Sequence, residues 1–224
     1  MADGVLSLGR EEVQTLIAVS RRQLAWEPRM PVRLRTTGTA LGLYTAPPLN
    51  VLALFAVPAT VSGADGDVDA IIPLASFLTA LEITAANGSA IDLSTISEAT
   101  VPIAAGVTVA NLPPADGWHL PIQAVSGDLL PSVQDAVAEF TRRSAGQPEL
   151  LKQQIADEIW NRQTWAALPM RMLHAAAKLG MLTSDRSRVS AAVNGPWKRL
   201  STPRGHVLAT TSGATVRLPL DILG

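Results

Sequence analysis

The sequence predicts an α+β protein: an N-terminal mixed or antiparallel sheet with helices, followed by a C-terminal module of three helices and a β-hairpin that is winged-helix-like. Three observations lead there. Strand-like stretches fill much of residues 1–145 without alternating regularly with helices, which separates the chain from doubly wound α/β sheets. The last third reads as three helices and then a two-strand ribbon with an arginine at its turn, the order of elements in winged helix-turn-helix modules. Charge divides in nearly the same place: residues 151–224 hold ten Lys/Arg and four Asp/Glu, residues 1–150 eight and fifteen, so a net charge of −1 hides an acidic and a basic part. Domains of 1–145 and 146–224 follow, with Ser144-Ala145-Gly146 as the boundary.

In chain order, a helix is expected from Ser7 or Gly9 to about Ala25. Val13, Leu16, Ile17 and Leu24 share a face, with Glu11 and Glu12 in the first turn and Arg21 and Arg22 near the end, as the helix dipole favours. Val32-Arg33-Leu34-Arg35 alternates as a strand with one wet face, and Gly38 to Pro48 reads as a turn-rich link. Val51 to Val57 is apolar on both faces and reads as a covered central strand, with another strand over Asp67 to Ile72. Pro73 opens a helix whose Leu74, Phe77, Leu78 and Leu81 share a face, and Asn87-Gly88 ends it. Strands are expected over Ala90 to Ile96, Val101 to Val109 and Trp118 to Ile122. A helix begun by Pro131, capped by Asp128, then turns Val133, Val137 and Phe140 inward.

In the C-terminal module, Pro148 opens a first helix with Leu151, Ile155 and Ile159 on one face. Leu168-Pro169 starts a second, striped by Met172, Leu173, Ala176 and Leu179 and closed by Gly180. A third is expected from Thr183 or Ser184, with Val189, Ala192 and Val193 inward, stopped by Asn194-Gly195-Pro196. Trp197 to Thr211 reads as a hairpin turning at Thr202-Pro203-Arg204-Gly205, and Ala214 to Leu218 as a further strand.

On this reading Arg186 and Arg188 stand early in a recognition helix, Arg204 at the wing tip, and Lys198 and Arg199 beside it. Such a set suits the phosphates of double-stranded DNA. The outward residues Ser187, Ser190 and Ala191 are poor readers of base edges, and a solvated basic face is the competing explanation.

Reaction chemistry finds little support. The absence of cysteine removes disulfides, thiol nucleophiles and thiolate metal sites together. Asp65, Asp67 and Asp69 are spaced like half a calcium loop, but the positions that need glycine and glutamate hold Ala70 and Ser76. His119, His174 and His206 lie at no metal-ligand spacing. Neither a nucleophile elbow nor a phosphate-cradling glycine loop occurs. No catalytic residue, metal or cofactor is therefore assigned. The function expected is non-enzymatic binding with self-association, because the amphipathic first helix and the apolar strands call for cover. A DNA-binding regulator is one alternative, and a small-molecule hydrolase or isomerase built from dispersed residues the other. The first residues lack the pattern of a secretory leader and the apolar runs are too short to span a bilayer, so a cytoplasmic protein with no membrane partner is expected.

Four segments also carry a family likeness. Leu112-Pro113-Pro114-Ala115-Asp116-Gly117-Trp118, Ala156-Asp157-Glu158-Ile159-Trp160, Gly195-Pro196-Trp197 and Thr202-Pro203-Arg204-Gly205 together resemble an uncharacterised family of actinobacterial proteins. The likeness covers the second half of the chain. It implies a high-GC bacterial, cytoplasmic origin and brings no activity, substrate or site residue.

Overall fold

Antiparallel hairpins between neighbouring segments build most of this chain. The computed structural model describes residues 4–62, 67–99 and 106–211. It divides into two compact units, one of residues 1–47, 53–104 and 108–112, the other of residues 48–52, 105–107 and 113–224.

The first unit runs β1 (Val5–Ser7), α1 (Arg10–Leu24), β2 (Pro31–Thr37), β3 (Ala40–Thr45), β4 (Leu52–Pro58), β5 (Thr60–Ser62), β6 (Asp69–Pro73), α2 (Leu74–Asn87) and β7 (Ile91–Asp92). One of its sheets has the order β6-β2-β3-β4, the other β5-β1-β7, and neighbours are antiparallel. The link expected over Gly38 to Pro48 is in fact β3. Leu41, Leu43 and Thr45 are buried in alternation with Gly42 and Tyr44, and Gly38, at φ 59°, supplies the tight turn that joins Thr37 to Ala40. β4 is covered on both faces at its start, where Leu52 and Ala53 are buried, and on one face at its end, where Phe55 and Val57 are buried while Ala56 and Pro58 are exposed. The strand expected over Ala90 to Ile96 shortens to β7 before a 3-10 turn over Leu93–Thr95, where the Asp92 carboxylate accepts the Ser94 backbone N–H at 3.0 Å. Val13, Leu16 and Ile17 of α1 are buried, and α1 packs on α2. Gln23, also buried, accepts a hydrogen bond from the Thr45 hydroxyl. The stripe that seemed to need cover thus finds it within its own unit. Of the three alternating aspartates, Asp65 lies outside the described residues, and Asp69 pairs with Arg33 at 2.5 Å. The Arg33 guanidinium holds that carboxyl below its ordinary pKa.

The second unit runs β8 (His119–Val125), α3 (Ser126–Ser144), α4 (Glu149–Asn161), α5 (Met170–Lys178), β9 (Arg188–Asn194), β10 (Trp197–Thr202) and β11 (Gly205–Thr210). Its strands follow the order β8-β9-β10-β11, again antiparallel. The third helix of the expected winged-helix module is the strand β9, so the C-terminal module is not winged-helix-like. Both the helical and the alternating period fit so short an apolar run. Hydrogen-bonded neighbours on both sides, β8 and β10, decide for strand. Asn194-Gly195-Pro196, expected to stop a helix, is the tight turn of the β9–β10 hairpin, with Gly195 at φ 53°. The strand expected at Ala214 to Leu218 lies outside the described residues, as does the first part of Val101 to Val109; residues 107–109 form no strand.

α3 begins at Ser126 and carries Pro131 inside it, so Asp128 sits in the first turn rather than capping it. The buried Ser126 hydroxyl donates to the Thr183 carbonyl and accepts the Thr183 N–H, both at 2.8 Å. The units divide near residue 112 rather than 145 because α3 packs against both α4 and α5. Each unit also repeats one arrangement that left no trace in the sequence. A strand running directly into a helix, β6 into α2 or β8 into α3, pairs with the first strand of a three-strand meander. Among the described residues no helix is long and apolar enough to cross a membrane.

Candidate interaction surface

Successive residues of β10 point to opposite faces of its sheet, which separates cations that are adjacent in sequence. Leu200 and its cross-strand partner Val207, both 0% exposed, mark the buried face. Lys198 shares that face, and its Nζ donates to the Ala167 carbonyl. Arg199 points the other way, with its guanidinium carbon 4.3 Å from the ring centre of Trp118, a cation–π contact. Burial lowers the pKa of Arg199. Arg204 sits at the β10–β11 turn but folds back: its Nη1 donates to the Gly180 carbonyl at 3.2 Å, and its Nη2 lies 3.7 Å from Asp185. Arg186, on the loop before β9, and Arg188, opposite Val125 at the start of β9, stay exposed. The five cations expected to meet phosphates together are thus spread over two sheet faces, one hairpin tip and one strand end.

The loop ending in Trp118 is tied to the Arg199 face. Asn194 Nδ2 donates to the Asp116 carbonyl at 2.6 Å, and Trp118 Nε1 donates to the Pro114 carbonyl at 3.0 Å. Gly117 allows this course. Its φ is 72°, and a Cβ there would stand 3.0 Å from Asn194 Nδ2, which cannot retreat without losing Asp116. Gly117→Ala is expected to cost about 1–2 kcal/mol, the penalty of left-handed backbone for a residue with a Cβ. The thermal midpoint would fall and the Trp118 indole N–H resonance would shift; an unmoved resonance would count against the tie.

The segments that carry the family likeness have structural work throughout. Besides the Trp118 loop, Ala156, Ile159 and Trp160 are 0% exposed, and Glu158 pairs with Arg143 at 2.5 Å. The Thr202 hydroxyl accepts the Arg204 N–H at 3.1 Å and donates to the Gly205 carbonyl at 3.0 Å.

The histidines do not converge. His119 is exposed at the start of β8. His206 Nδ1 lies 2.9 Å from Ser201 Oγ, and burial, then the charge of Arg199, lowers its pKa. His174 is 1% exposed and stacks on Trp160 with ring centres 4.5 Å apart. Among the described residues no three His, Asp or Glu side chains gather as a metal site.

Two features remain that a partner could use. β8 is the terminal strand of its sheet and, among the described residues, pairs only with β9. Its register is continuous from Ile122 to Val125, and Ile122 is 48% exposed. The sequence reading missed this edge, although Pro121 signalled it: proline within a strand belongs at a sheet edge or bulge, and a register shift lies between His119 and Ile122. At the start of α4, Leu150 and Leu151 are 75% and 40% exposed.

The helices are not basic in sum. Their spans hold eight Lys/Arg and nine Asp/Glu. Arg21 pairs with Glu82 at 2.7 Å, and Arg143 meets Glu139 at 2.8 Å. Arg162, just past α4, also pairs with Glu139, at 2.9 Å. These two arginines hold the Glu139 carboxyl at a pKa of about 2.

Residues 1–100 match the model of a domain of unknown function (DUF8010), and residues 113–214 that of a second (DUF8185). A search of the curated proteins finds no match. Among solved structures the chain is similar to bacterial sliding clamps. Caulobacter crescentus pol III beta is 11% identical with a TM-score of 0.56, over 95% of this chain and 66% of that one. DNA polymerase III subunit beta from Borrelia burgdorferi is 7% identical with a TM-score of 0.54, over 93% and 64%. The Helicobacter pylori beta clamp bound to a DNA ligase peptide is 12% identical with a TM-score of 0.50, over 95% and 67%. The chain spans 64% of the length of the Borrelia protein, under two thirds. At such identities the likeness is one of fold: this is an α+β chain with the fold of sliding clamps.

Proposed function

We propose that this protein is a non-enzymatic binding protein on a sliding-clamp fold, that it self-associates through the edge strand β8, and that its partners are proteins rather than nucleic acid. The observation that carries the reading is a clamp-like fold whose helices hold eight basic and nine acidic residues, several of them already paired with each other. Sequence-independent grip on DNA comes from several Lys/Arg side chains delivered to phosphates, with release of counterions, and balanced helices supply little of it. A protein partner has a precedent on this fold in the Helicobacter clamp, bound to a ligase peptide. Self-association is supported by β8, whose outer N–H and C=O groups are a ready template for a second strand beside an exposed Ile122.

Replacing Ile122 tests the edge. Ile122→Asp puts a charge where a second strand would pack and is expected to weaken self-association roughly tenfold or more, as loss of one well-buried apolar anchor does. Equilibrium sedimentation reads the outcome, and an unchanged association constant would remove β8 from the interface. Arg186→Ala and Arg188→Ala, in the same assay, are expected to change nothing.

A further inference from the structure

A cleft of about 340 Å3 within the second unit is lined by Asn161, Gln163, Arg171, Lys198, Thr210 and Thr211. Two of these residues are cations and none is an acid. Arg171 is 4% exposed. Its Nη1 donates to Asn161 Oδ1 and its Nη2 to the Thr210 carbonyl at 3.1 Å, while its buried Nε has no hydrogen-bond partner among the described residues. Lys198 Nζ donates to the Ala167 carbonyl, and an ammonium has three N–H groups to give. Among the described residues neither cation is ion-paired with a carboxylate. Burial lowers the pKa of both, and Arg171 adds to the effect at Lys198. Lys198 is half-buried, but the Arg171 charge is taken out of water without an opposite charge, which is costly and seldom retained by folded proteins. The wall beside Lys198 is strained as well: Ala166 and Ala167 both have φ 55°, a region that residues other than glycine occupy only when their surroundings hold them there. Arg171 could be explained as a tie between Asn161 on α4 and Thr210 on β11. That tie leaves Lys198 unexplained.

We infer that this cleft binds a compact oxyanion, the phosphoryl or carboxylate head of a small molecule. Lys198 contacts it directly, Arg171 supplies the fixed positive charge behind, and the Gln163 amide and the Thr211 hydroxyl serve as neutral partners. None of the residues that line the cleft belongs to β8, and the inference does not rest on the proposed partners.

Calorimetric titration of the full chain with inorganic phosphate, and separately with acetate, at constant ionic strength tests the site. Saturable binding of at least one anion is expected, and the tighter of the two identifies the head group. Lys198→Met is expected to weaken it roughly tenfold or more, the weight of a charge-assisted hydrogen bond. Gln163→Glu places a carboxylate in the cleft and is expected to abolish binding while raising the thermal midpoint of the free protein. Lys152→Met, a lysine removed from α4 outside the cleft, is expected to leave binding intact. No saturable binding of either anion to the wild type would overturn the inference, as would wild-type affinity in Gln163→Glu. Gln163→Glu decides alone if Lys198→Met does not fold.

Discussion

Lowering the pH from 6.5 to 4 is expected to cost the folded protein about 3 kcal/mol through His174. The imidazole is 1% exposed, and neither ring nitrogen has a hydrogen-bond partner among the described residues. Burial, then the charge of Lys178, pushes its pKa down from 6.5 to about 4. Between those values the unfolded chain takes up a proton that the native state refuses, so stability falls with pH through this window and levels off below about 4. His206, lowered by burial and Arg199, acts in the same direction. Glu139, lowered from 4.5 to about 2, loses its contribution from about 4.5 downward, so its window meets that of His174 only at the acid end. His174→Phe keeps a flat ring against Trp160 and removes the titration. Urea unfolding of this variant at pH 7 and pH 4.5 is expected to show a much smaller difference than the wild type, with stability at pH 7 equal or higher, because an unsatisfied buried N–H is gone. An undiminished pH dependence in the variant would show that another group carries it.

Trp160→Ala is expected to lose about 3–5 kcal/mol, the cost of removing a large ring from a packed core together with the cavity it leaves. Trp160 is 0% exposed and stands between two rings: His174, stacked with centres 4.5 Å apart, and Phe140, tilted at 6.0 Å. These three side chains come from α3, α4 and α5, so the change loosens the contact of all three helices at once. Water entering the cavity is also expected to return the His174 pKa toward 6.5, making the variant less sensitive to acid as well as less stable. Denaturant unfolding supplies the first quantity and the imidazole NMR titration the second. A loss below about 1 kcal/mol would mean that the ring contributes far less than its burial requires.

The elements legible in the sequence were those with their own punctuation. α1, α2, α4 and α5 each combine a helical apolar stripe with a proline or glycine at an end, and the β10–β11 hairpin announces its turn as Thr202-Pro203-Arg204-Gly205. β3 and β9 were not legible. Leu41 and Leu43 alternate over a run too short to outweigh the glycines around it, and Val189 to Val193 fits both periods, so strand partners settled each. The same limit governs the site. The basic residues were visible, but the belief that they face one way followed from the helix assigned to residues 184–193. Lys198 and Arg199 already lay on a hairpin strand in that reading, and its alternation sends them to opposite faces. The buried pairing of Arg171 with Asn161 and Thr210 had no sequence signal, since it joins α4, α5 and β11. The clamp fold was equally hidden, because at 7% to 12% identity the likeness is one of fold and leaves no shared motif to read.

Sedimentation velocity of the wild-type protein mixed with dye-labelled duplex DNA at low salt, recorded at the protein and dye wavelengths together, tests the central claim most directly. A clamp-fold protein that binds its own kind and whose helices are not basic in sum should sediment as a species heavier than its 23.6 kDa chain, while the DNA moves at its free rate. Dye travelling with the protein, or protein that remains a single chain at every concentration, would contradict it.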